Sequence, residues 1–547
     1  MINFSLLKKI PLRYLTLVLV AVVFVFSLLY ALLTNSIWWL VLLSGVLTAV
    51  GINDLRQTKQ SLRRNYPILA HFRFFFELIR PEIRQYLLED NTEARPFSRN
   101  QRSLVYQRAK QAIDKQPFGT QLNVYEDNYE WINHSITPVP VTTHDFRITI
   151  GAHPDCPRAK PYSASVFNIS AMSFGALSAN AILALNAGAK QGGFMHDTGE
   201  GGISAYHRKH GGDLVWEIGS GYFGCRGEDG NFSEEKFAEN ATLAQVKMIE
   251  IKLSQGAKPG HGGVLPASKV SAEIASTRGV NMGEDCVSPP CHSAFDSPTG
   301  LLHFIERLRN ASGGKPTGFK LAIGHPWEFF AIVKAMLATG ITPDFIVVDG
   351  GEGGTGAAPV EFTDHVGTPL QEALLLVHNT LVGAGLRDKI RVGVSGKIIS
   401  AFDIARAMAL GADWCNSARG FMFALGCIQS QSCHTDHCPA GVATQDAQRQ
   451  KALVPAHKAE RVTNFQRNTL KVLAELVSAA GLEHPADLKP HHLVRRVSSS
   501  QVRLVSSLVP FLAADALLNS TNIANLPAVY RIYWPMAQAD SFQPFNI

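Results

Sequence analysis

The 547-residue sequence has no block of lysines and arginines resembling a nucleic-acid footprint, and its formal charge of +6 is mild for this length. DNA and RNA are therefore excluded as partners. It also lacks a disulfide framework. Eight cysteines are few for so long a chain and three are clustered, which suits a reducing, cytoplasmic setting. No repeat at solenoid spacing is present. An integral dinucleotide-binding domain is rejected as well. Gly219-Ser-Gly221-Tyr-Phe-Gly224 has the G-x-G-x-x-G spacing but runs into Cys225-Arg-Gly-Glu-Asp-Gly230 rather than a helix, so the helix N-terminus that binds pyrophosphate is missing. Charge is sparse throughout, 18% against 46% apolar, as in a folded protein with some membrane-embedded part.

Near the N-terminus charge disappears. Tyr14 to Leu33 is an uncharged run long enough to cross a bilayer as a helix. Thr34-Asn35-Ser36 breaks it, and Ile37 to Ile52 is apolar again but shorter, so a re-entrant or shallow segment is the alternative there. A signal peptide is disfavoured by the missing small-residue cleavage site and the second apolar segment. Lys8, Lys9 and Arg13 precede the pair, and Arg56, Lys59, Arg63 and Arg64 follow it. Positive charge on both flanks places both ends in the cytoplasm. The expectation is a transmembrane hairpin over 1–55 in the bacterial inner (cytoplasmic) membrane, with the remainder cytoplasmic.

Residues 56–150 read as a helical and loop lead-in. Pro81 is expected to start a new helix, and the phenylalanines of His71–Arg80 are expected to form a packed core face in preference to a membrane-surface one. From Ser165 short apolar strands alternate with helical runs. They are Val166–Ser173, Phe194–Thr198, Met248–Leu253, Cys286–Ser288, Thr317–Ile323, Asp344–Asp349, Arg391–Ser395 and Ala412–Ser417. Eight such units predict an α/β fold, a (β/α)8 TIM barrel over 151–450 with its chemistry in loops after the strands. A helical tail is expected over 451–547, with helices at Val462–Ala480 and from Leu493 to about Leu518.

The motifs carrying chemistry fall in those loops. Cys427, Cys433 and Cys438 are spaced by five and four residues, and Pro439 follows. Thiolates bind soft metals and iron–sulfur clusters. The spacing is wide for structural zinc, although His434 or His437 leaves zinc open, and a three-cysteine cluster is the favoured reading. The run Asp349-Gly-Gly-Glu-Gly-Gly-Thr-Gly356 lets backbone N–H groups approach a planar or anionic ligand. Ser395-Gly396-Lys397 and Ala418-Arg419-Gly420, after the last two strands, point to the phosphate of flavin mononucleotide (FMN). Lys320 lies within a strand, where its cation would stabilise a reduced, anionic flavin; an ion-paired lysine is the plain alternative. Lys258 and His261 in Gln255–Gly263 suit a substrate carboxylate, and Glu200 offers a carboxylate for proton handling.

Several long motifs now line up: Ala171-Met-Ser-Phe-Gly-Ala-Leu-Ser178, Thr198-Gly-Glu-Gly-Gly202, Ile251-Lys-Leu-Ser-Gln-Gly-Ala-Lys-Pro-Gly260, Ser288-Pro-Pro290, the glycine run and the cysteine stretch. Together they resemble the FMN-binding synthase domain of glutamate synthase, over roughly 150–450, and the whole chain looks like a membrane-anchored, stand-alone branch of that family. The resemblance implies FMN beside a [3Fe–4S] cluster on Cys427, Cys433 and Cys438. It implies reduction of 2-iminoglutarate, formed from 2-oxoglutarate and ammonia, to L-glutamate. Lys258 would grip a substrate carboxylate and Glu200 would lie near the reacting centre. Ser173, Lys320, Gly350, Gly351, Gly353, Gly354, Thr355 and Gly356 would contact the flavin, and Ser395, Gly396, Lys397, Ala418, Arg419 and Gly420 would hold its phosphate. The departures are His261 and Val264, where the family has an acidic residue and a glutamine, and Cys291-His292-Ser293 after Ser-Pro-Pro. No glutaminase domain precedes the barrel, so ammonia is expected from solution or another subunit. Ferredoxin, a separate NAD(P)H-oxidising subunit or a quinone would donate electrons. The competing readings are an amine or amino-acid dehydrogenase feeding a membrane acceptor, and a non-catalytic membrane-tethered relay.

Overall fold

The computed structural model describes residues 11–519 and 523–545; Lys8 and Lys9, used in the orientation argument, lie outside them. The chain divides into two units, Met1–Arg95 and Pro96–Ile547.

The first unit is helical. α1 (Leu15–Thr34) and α2 (Trp38–Arg56) form an antiparallel hairpin, Phe24 against Gly45 and Leu17 against Gly51. Small residues along the seam let the backbones approach, and Ser27 and Ser44 meet there with their hydroxyls 3.4 Å apart. Asn35, with φ of 51°, reverses the chain, and its side chain accepts from Trp38 Nε1 at 3.1 Å. The outward apolar side chains are uncovered: Leu19, Phe26, Leu29, Leu33, Trp39 and Leu42 are each more than half exposed. α3 (Ser61–Asn65) and α4 (Leu69–Ile83) follow. Pro81 does not begin a helix as expected. It sits inside α4, and the chain accommodates it by widening into a π-type turn at Arg84–Leu88. The packed-core expectation for the phenylalanines also fails, because Phe72, Phe75 and Phe76 are all more than half exposed.

The second unit is built on a closed barrel of eight parallel strands. They are β1 (Phe167–Ile169), β2 (His196–Asp197), β3 (Leu214–Ile218), β4 (Val246–Lys252), β5 (Thr317–Leu321), β6 (Phe345–Asp349), β7 (Arg391–Ser395) and β8 (Trp414–Ser417). One strand differs from expectation. Cys286–Val287 pairs antiparallel with Val264–Leu265 outside the barrel, and Leu214–Ile218 takes the place in its stead. The 246–252 strand is thus fourth in the barrel, while those from 317 onward keep their expected places.

Strand periodicity of two sorts side chains between two cores. Met195, Val215, Met248, Phe345, Val347 and Trp414 form an inner cluster. The hairpin of Arg147–Ile150 with Tyr162–Ser165 contributes Ile150, Tyr162 and Ala164 to it. Outward-facing strand residues join the larger core beneath the surrounding helices. Helix Pro455–Ala479 packs on Ala179–Gly192, closely enough that a Cβ on Gly188 would lie 2.5 Å from Val462. The expected second tail helix is instead a β-hairpin, Leu493–Ser498 with Gln501–Leu504, and Glu130–Ile132 completes the sheet. Leu493-Val-Arg-Arg-Val-Ser498 has no period-two alternation; the strand forms through pairing across the serine turn and with Glu130–Ile132.

Candidate active site

Two positions above the inner apolar layer, the strand alternation brings charge to the barrel axis. Lys320 on β5 donates to Glu217 on β3 and lies 3.4 Å from Glu250 on β4. Asp197 on β2 joins them, the three carboxylates lying within 4.8 Å of one another. All four residues are at most 4% exposed. Burial works against the Lys320 charge, but Glu217, Glu250 and Asp197 outweigh it and hold the ammonium firmly. Three carboxylates share one cation, and the surplus appears as bound protons: burial, then the charge of Glu217, pushes Asp197 up to about 7. Burial and repulsion from Asp197 raise Glu250 well above the carboxylate range. Lys320 faces inward as the sequence suggested, and its ammonium is ion-paired.

At the mouth the charges reverse in proportion. Glu200 pairs with Lys252 at 3.0 Å, and Lys252 also donates to Gln255 at 3.2 Å. Burial acts to raise the Glu200 carboxyl, but Lys252 overrides it and keeps the group ionised. Lys258 donates to the Gly262 carbonyl at 3.1 Å, and burial lowers its pKa. Glu200 and Lys252 border a narrow cleft lined also by Ser220, Gln255, His261, Gly262 and Pro289. Glycine is required beside it: a Cβ on Gly263 would lie 2.3 Å from Glu200 Oε1, and one on Gly256 only 2.0 Å from the Gly350 carbonyl. Ser173 sits against the Glu200 turn, its backbone nitrogen 2.6 Å from where a Gly199 Cβ would be.

The substituted residues divide. His261 is exposed on the rim, edge-on to Phe362 at 5.4 Å. His292 is buried and structural. Its Nε2 donates to the Lys252 carbonyl at 2.9 Å and its Nδ1 accepts from the Tyr222 hydroxyl at 3.2 Å. Burial pushes it down to about 4, so the neutral ring braces the strand end that carries Lys252.

The glycine run is stitched to its neighbours. Gly350 N donates to Ser395 O (2.8 Å), Gly351 N to Thr368 O (2.9 Å) and Gly353 N to Gly350 O (2.9 Å). Arg419 Nη2 donates to Thr355 O at 3.0 Å, and a Cβ on Gly354 would lie 3.3 Å from that guanidinium. The Ser395 hydroxyl donates to Asp349. Ser417 Oγ donates to Ile398 O at 2.5 Å, so the loops after β7 and β8, holding Gly396 and Lys397 and then Ala418 and Gly420, lie side by side. On its far side the run reaches the cysteines: a Cβ on Gly356 would lie 3.7 Å from Cys433 Cβ.

Cys427 and Cys438 are buried, Cys433 is partly so, and all three thiols are free. Burial pushes the Cys427 thiol up to about 11, so a metal would displace its proton. Gln429 N–H points at Cys427 Sγ, 3.5 Å away, and Lys269 Nζ ties the loop at Cys433 O (2.8 Å) and Ala443 O (3.1 Å). Zinc would need donor atoms ~3.8 Å apart. Among the described residues the close-set group of His, Cys, Asp or Glu donors is the carboxylate trio, its atoms within 4.8 Å of one another, and His434 and His437 are exposed.

Sequence reasoning missed Lys252, Lys269 and the three carboxylates. The signal for Glu250 and Lys252 was available, since Met248, Glu250 and Lys252 share the inward face of one strand at period two. Ser220 was also overlooked. The loop set aside as a failed nucleotide motif follows β3 and closes the cleft, its hydroxyl donating to Pro289 O at 2.5 Å.

Every group in this arrangement comes from the barrel interior or from segments beyond the C-terminal ends of its strands, where such barrels carry their chemistry. The class follows: a (β/α)8-barrel enzyme. Comparison with known proteins narrows it. The conserved region in glutamate synthase matches residues 140–483. The glutamate synthase large subunit-like protein YerD of Bacillus subtilis (strain 168) is 37% identical over 84% of this chain and 94% of its own length. The archaeal glutamate synthase [NADPH] of Methanocaldococcus jannaschii is 37% identical over 59% of this chain, which spans 60% of that protein. Among solved structures, mandelate oxidase with (S)-2-phenylpropionate aligns over 74% of this chain and 98% of its own, at 14% identity and a TM-score of 0.40. The chain belongs to the glutamate synthase family.

Proposed function

We propose that the chain is an FMN- and iron–sulfur-dependent oxidoreductase that reduces 2-iminoglutarate, formed from 2-oxoglutarate and ammonia, to L-glutamate. The observation that carries this reading is the charge count of the cleft. Protonated 2-iminoglutarate bears two carboxylates and one iminium; the cleft lining brings the Lys252 ammonium and the Glu200 carboxylate together, and Lys258 is bonded to Gly262 in the cleft wall. Charge-assisted contacts of this kind orient as well as bind. An ionised Glu200 is suited to hold the iminium and keep C2 electrophilic.

The residues present fit both cofactors. The glycine run brings backbone close without side chains, Arg419 and Lys397 supply cations for a phosphate, and three free thiols with an N–H···S contact offer a cluster site. FMN would supply a hydride to C2, and the [3Fe–4S] cluster would deliver electrons one at a time. Glu200 and Lys252 hold the substrate beneath the loop of Gly350–Gly356, and Ser220 and Pro289 exclude water from one side. Electrons would come from a separate donor: ferredoxin, an NAD(P)H-oxidising subunit or a quinone.

We further infer that α1 and α2 span the cytoplasmic membrane. The stretches Leu12–Thr34 and Trp38–Arg56 have mean hydropathy of 2.8 and 1.5 and are only 17% and 22% buried. A core helix of a water-soluble protein would hide such surface.

The test is a single turnover. The anaerobic, fully reduced protein is mixed with 2-oxoglutarate and ammonium while flavin absorbance is followed. Rapid reoxidation with stoichiometric glutamate is expected. A bound flavin that stays reduced overturns the substrate assignment. If L-glutamate or an amine reduces the oxidised protein with no forward turnover, the dehydrogenase reading replaces it.

A further inference from the structure

Among the described residues of its unit, the phenylalanine-rich face of the helix after the hairpin is left uncovered. Leu69, Phe72, Phe75, Phe76, Ile79 and Ile83 recur at three- and four-residue steps and form one continuous face of α4. The first four are 46%, 60%, 53% and 57% exposed. Arg73 and Arg80 lie along one border of that face, with Arg84 just beyond the helix end, and Arg73 pairs with Glu77 on the polar side at 3.0 Å. Phe74 points elsewhere, under the Arg63 guanidinium at 5.1 Å. Leu78 is the one strongly exposed apolar residue of α4 off the face.

The depth at which α4 begins is fixed by α2. Asp54, in the last turn of α2, is 1% exposed. Its carboxylate accepts from Ile68 N at 3.1 Å and holds His71 Nε2 at 2.8 Å. The first turn of α4 is therefore clamped to the C-terminal end of the second apolar helix, after a chain that carries Arg56, Lys59, Arg63 and Arg64. If α2 crosses a bilayer, α4 starts at its surface.

We propose that α4 is an interfacial helix. It lies along the membrane with the Phe72, Phe75, Phe76 and Ile79 face sunk into the boundary between headgroups and acyl chains, and its arginines at lipid phosphates. A wide apolar face bordered by arginine is the form such helices take, and continuity with the spanning hairpin selects a lipid surface over a protein. The inference rests on the spanning reading of α1 and α2, and its consequence is functional: two crossings and one surface helix would hold the unit at a defined depth, as delivery of electrons from a membrane-dissolved carrier would require.

The test uses the full chain in liposomes containing phosphatidylglycerol, with a photoreactive residue introduced singly as Phe72→p-benzoylphenylalanine, Phe75→p-benzoylphenylalanine, Glu77→p-benzoylphenylalanine or Phe26→p-benzoylphenylalanine. Exposed phenylalanines tolerate this aromatic replacement. After irradiation, lipid adducts are sought by mass. The expected result is lipid adducts at 26, 72 and 75 and none at 77. Lipid adducts at 26 with only protein crosslinks at 72 and 75 overturn the interfacial helix while leaving the hairpin reading intact. Adducts at 72 and 75 without any at 26 uphold surface docking and remove the span. No lipid adduct at any position overturns both.

Discussion

Asp197→Asn tests the electrostatics of the barrel axis most directly. With Asp197 raised to about 7 in the folded protein against an unfolded value of 3.8, the folded state binds a proton that the unfolded state has released. A group raised in this way contributes stability that is complete below its unfolded pKa and is lost as pH rises through the folded value. Each unit of that interval is worth about 1.4 kcal/mol, so between about pH 5 and about pH 7 the natural protein should lose about 3 kcal/mol that the asparagine variant keeps. Asparagine resembles the protonated acid in shape and lacks its titration. The effect on Glu250 has the same sign, because Asp197 is the main charge raising it. The assay is the difference in thermal midpoint between the two proteins across that pH range. The variant should gain on the natural protein by a few degrees with increasing pH, then hold level above about pH 7. A difference that stays flat from about pH 5 refutes a protonated Asp197 and with it the surplus-charge account of the cluster.

Three further outcomes follow from the mouth and the thiol loop. Lys252→Met removes a charged partner from Glu200 and from substrate, and should lower kcat/KM by about 10- to 100-fold. With its main lowering influence gone, Glu200 should titrate at higher pH, so the acid limb of the pH–rate profile should move up; an unmoved limb refutes the pairing. Cys433→Ser should reduce bound iron, measured per chain, while far-ultraviolet circular dichroism is unchanged. Full iron retention would show that Cys433 is not a ligand. Gly256→Ala puts a methyl 2.0 Å from a backbone carbonyl and should cost about 1–3 kcal/mol, read as a lower thermal midpoint.

The barrel was legible because most of its strands are short apolar runs closed by glycine or polar loops, and the motifs were legible because they sit in those loops. The errors have local causes. Leu214–Ile218 was hidden by the glycine motif after it, whereas Cys286–Val287 has the composition of a strand but pairs with Val264–Leu265 outside the barrel. The hairpin at Leu493–Leu504 was taken for helix because its apolar and charged residues come in adjacent pairs, Val494-Arg-Arg-Val497 and Val502-Arg503, with no period-two signal. The phenylalanines of α4 have helical periodicity, and periodicity identifies a face without identifying what covers it. The state of Lys320 was beyond reach for a different reason. Its partners Glu217 and Glu250 lie 103 and 70 positions away, and only closure of the barrel brings them together.

The arrangement of charge along the barrel axis has a physical rationale. The buried quartet carries excess acid and holds protons, while the mouth, about one strand step above it at Glu200, Lys252 and Lys258, carries excess base. On the proposed function, the lysines at the mouth would attract an anionic substrate, whereas the axis, its surplus carboxylates protonated around Lys320, offers it no free cation. The sequence enforces this with single positions on β4: Glu250 points into the quartet and Lys252, one inward step later, points into the cleft. His292 fixes that step by bonding the Lys252 carbonyl, and it remains neutral down to about pH 4. Of the substituted residues, His292 is thus a brace behind a lysine, whereas His261 lines the cleft itself. An exchange of His292 for an apolar residue would act through the position of Lys252, altering KM before it altered the chemical step.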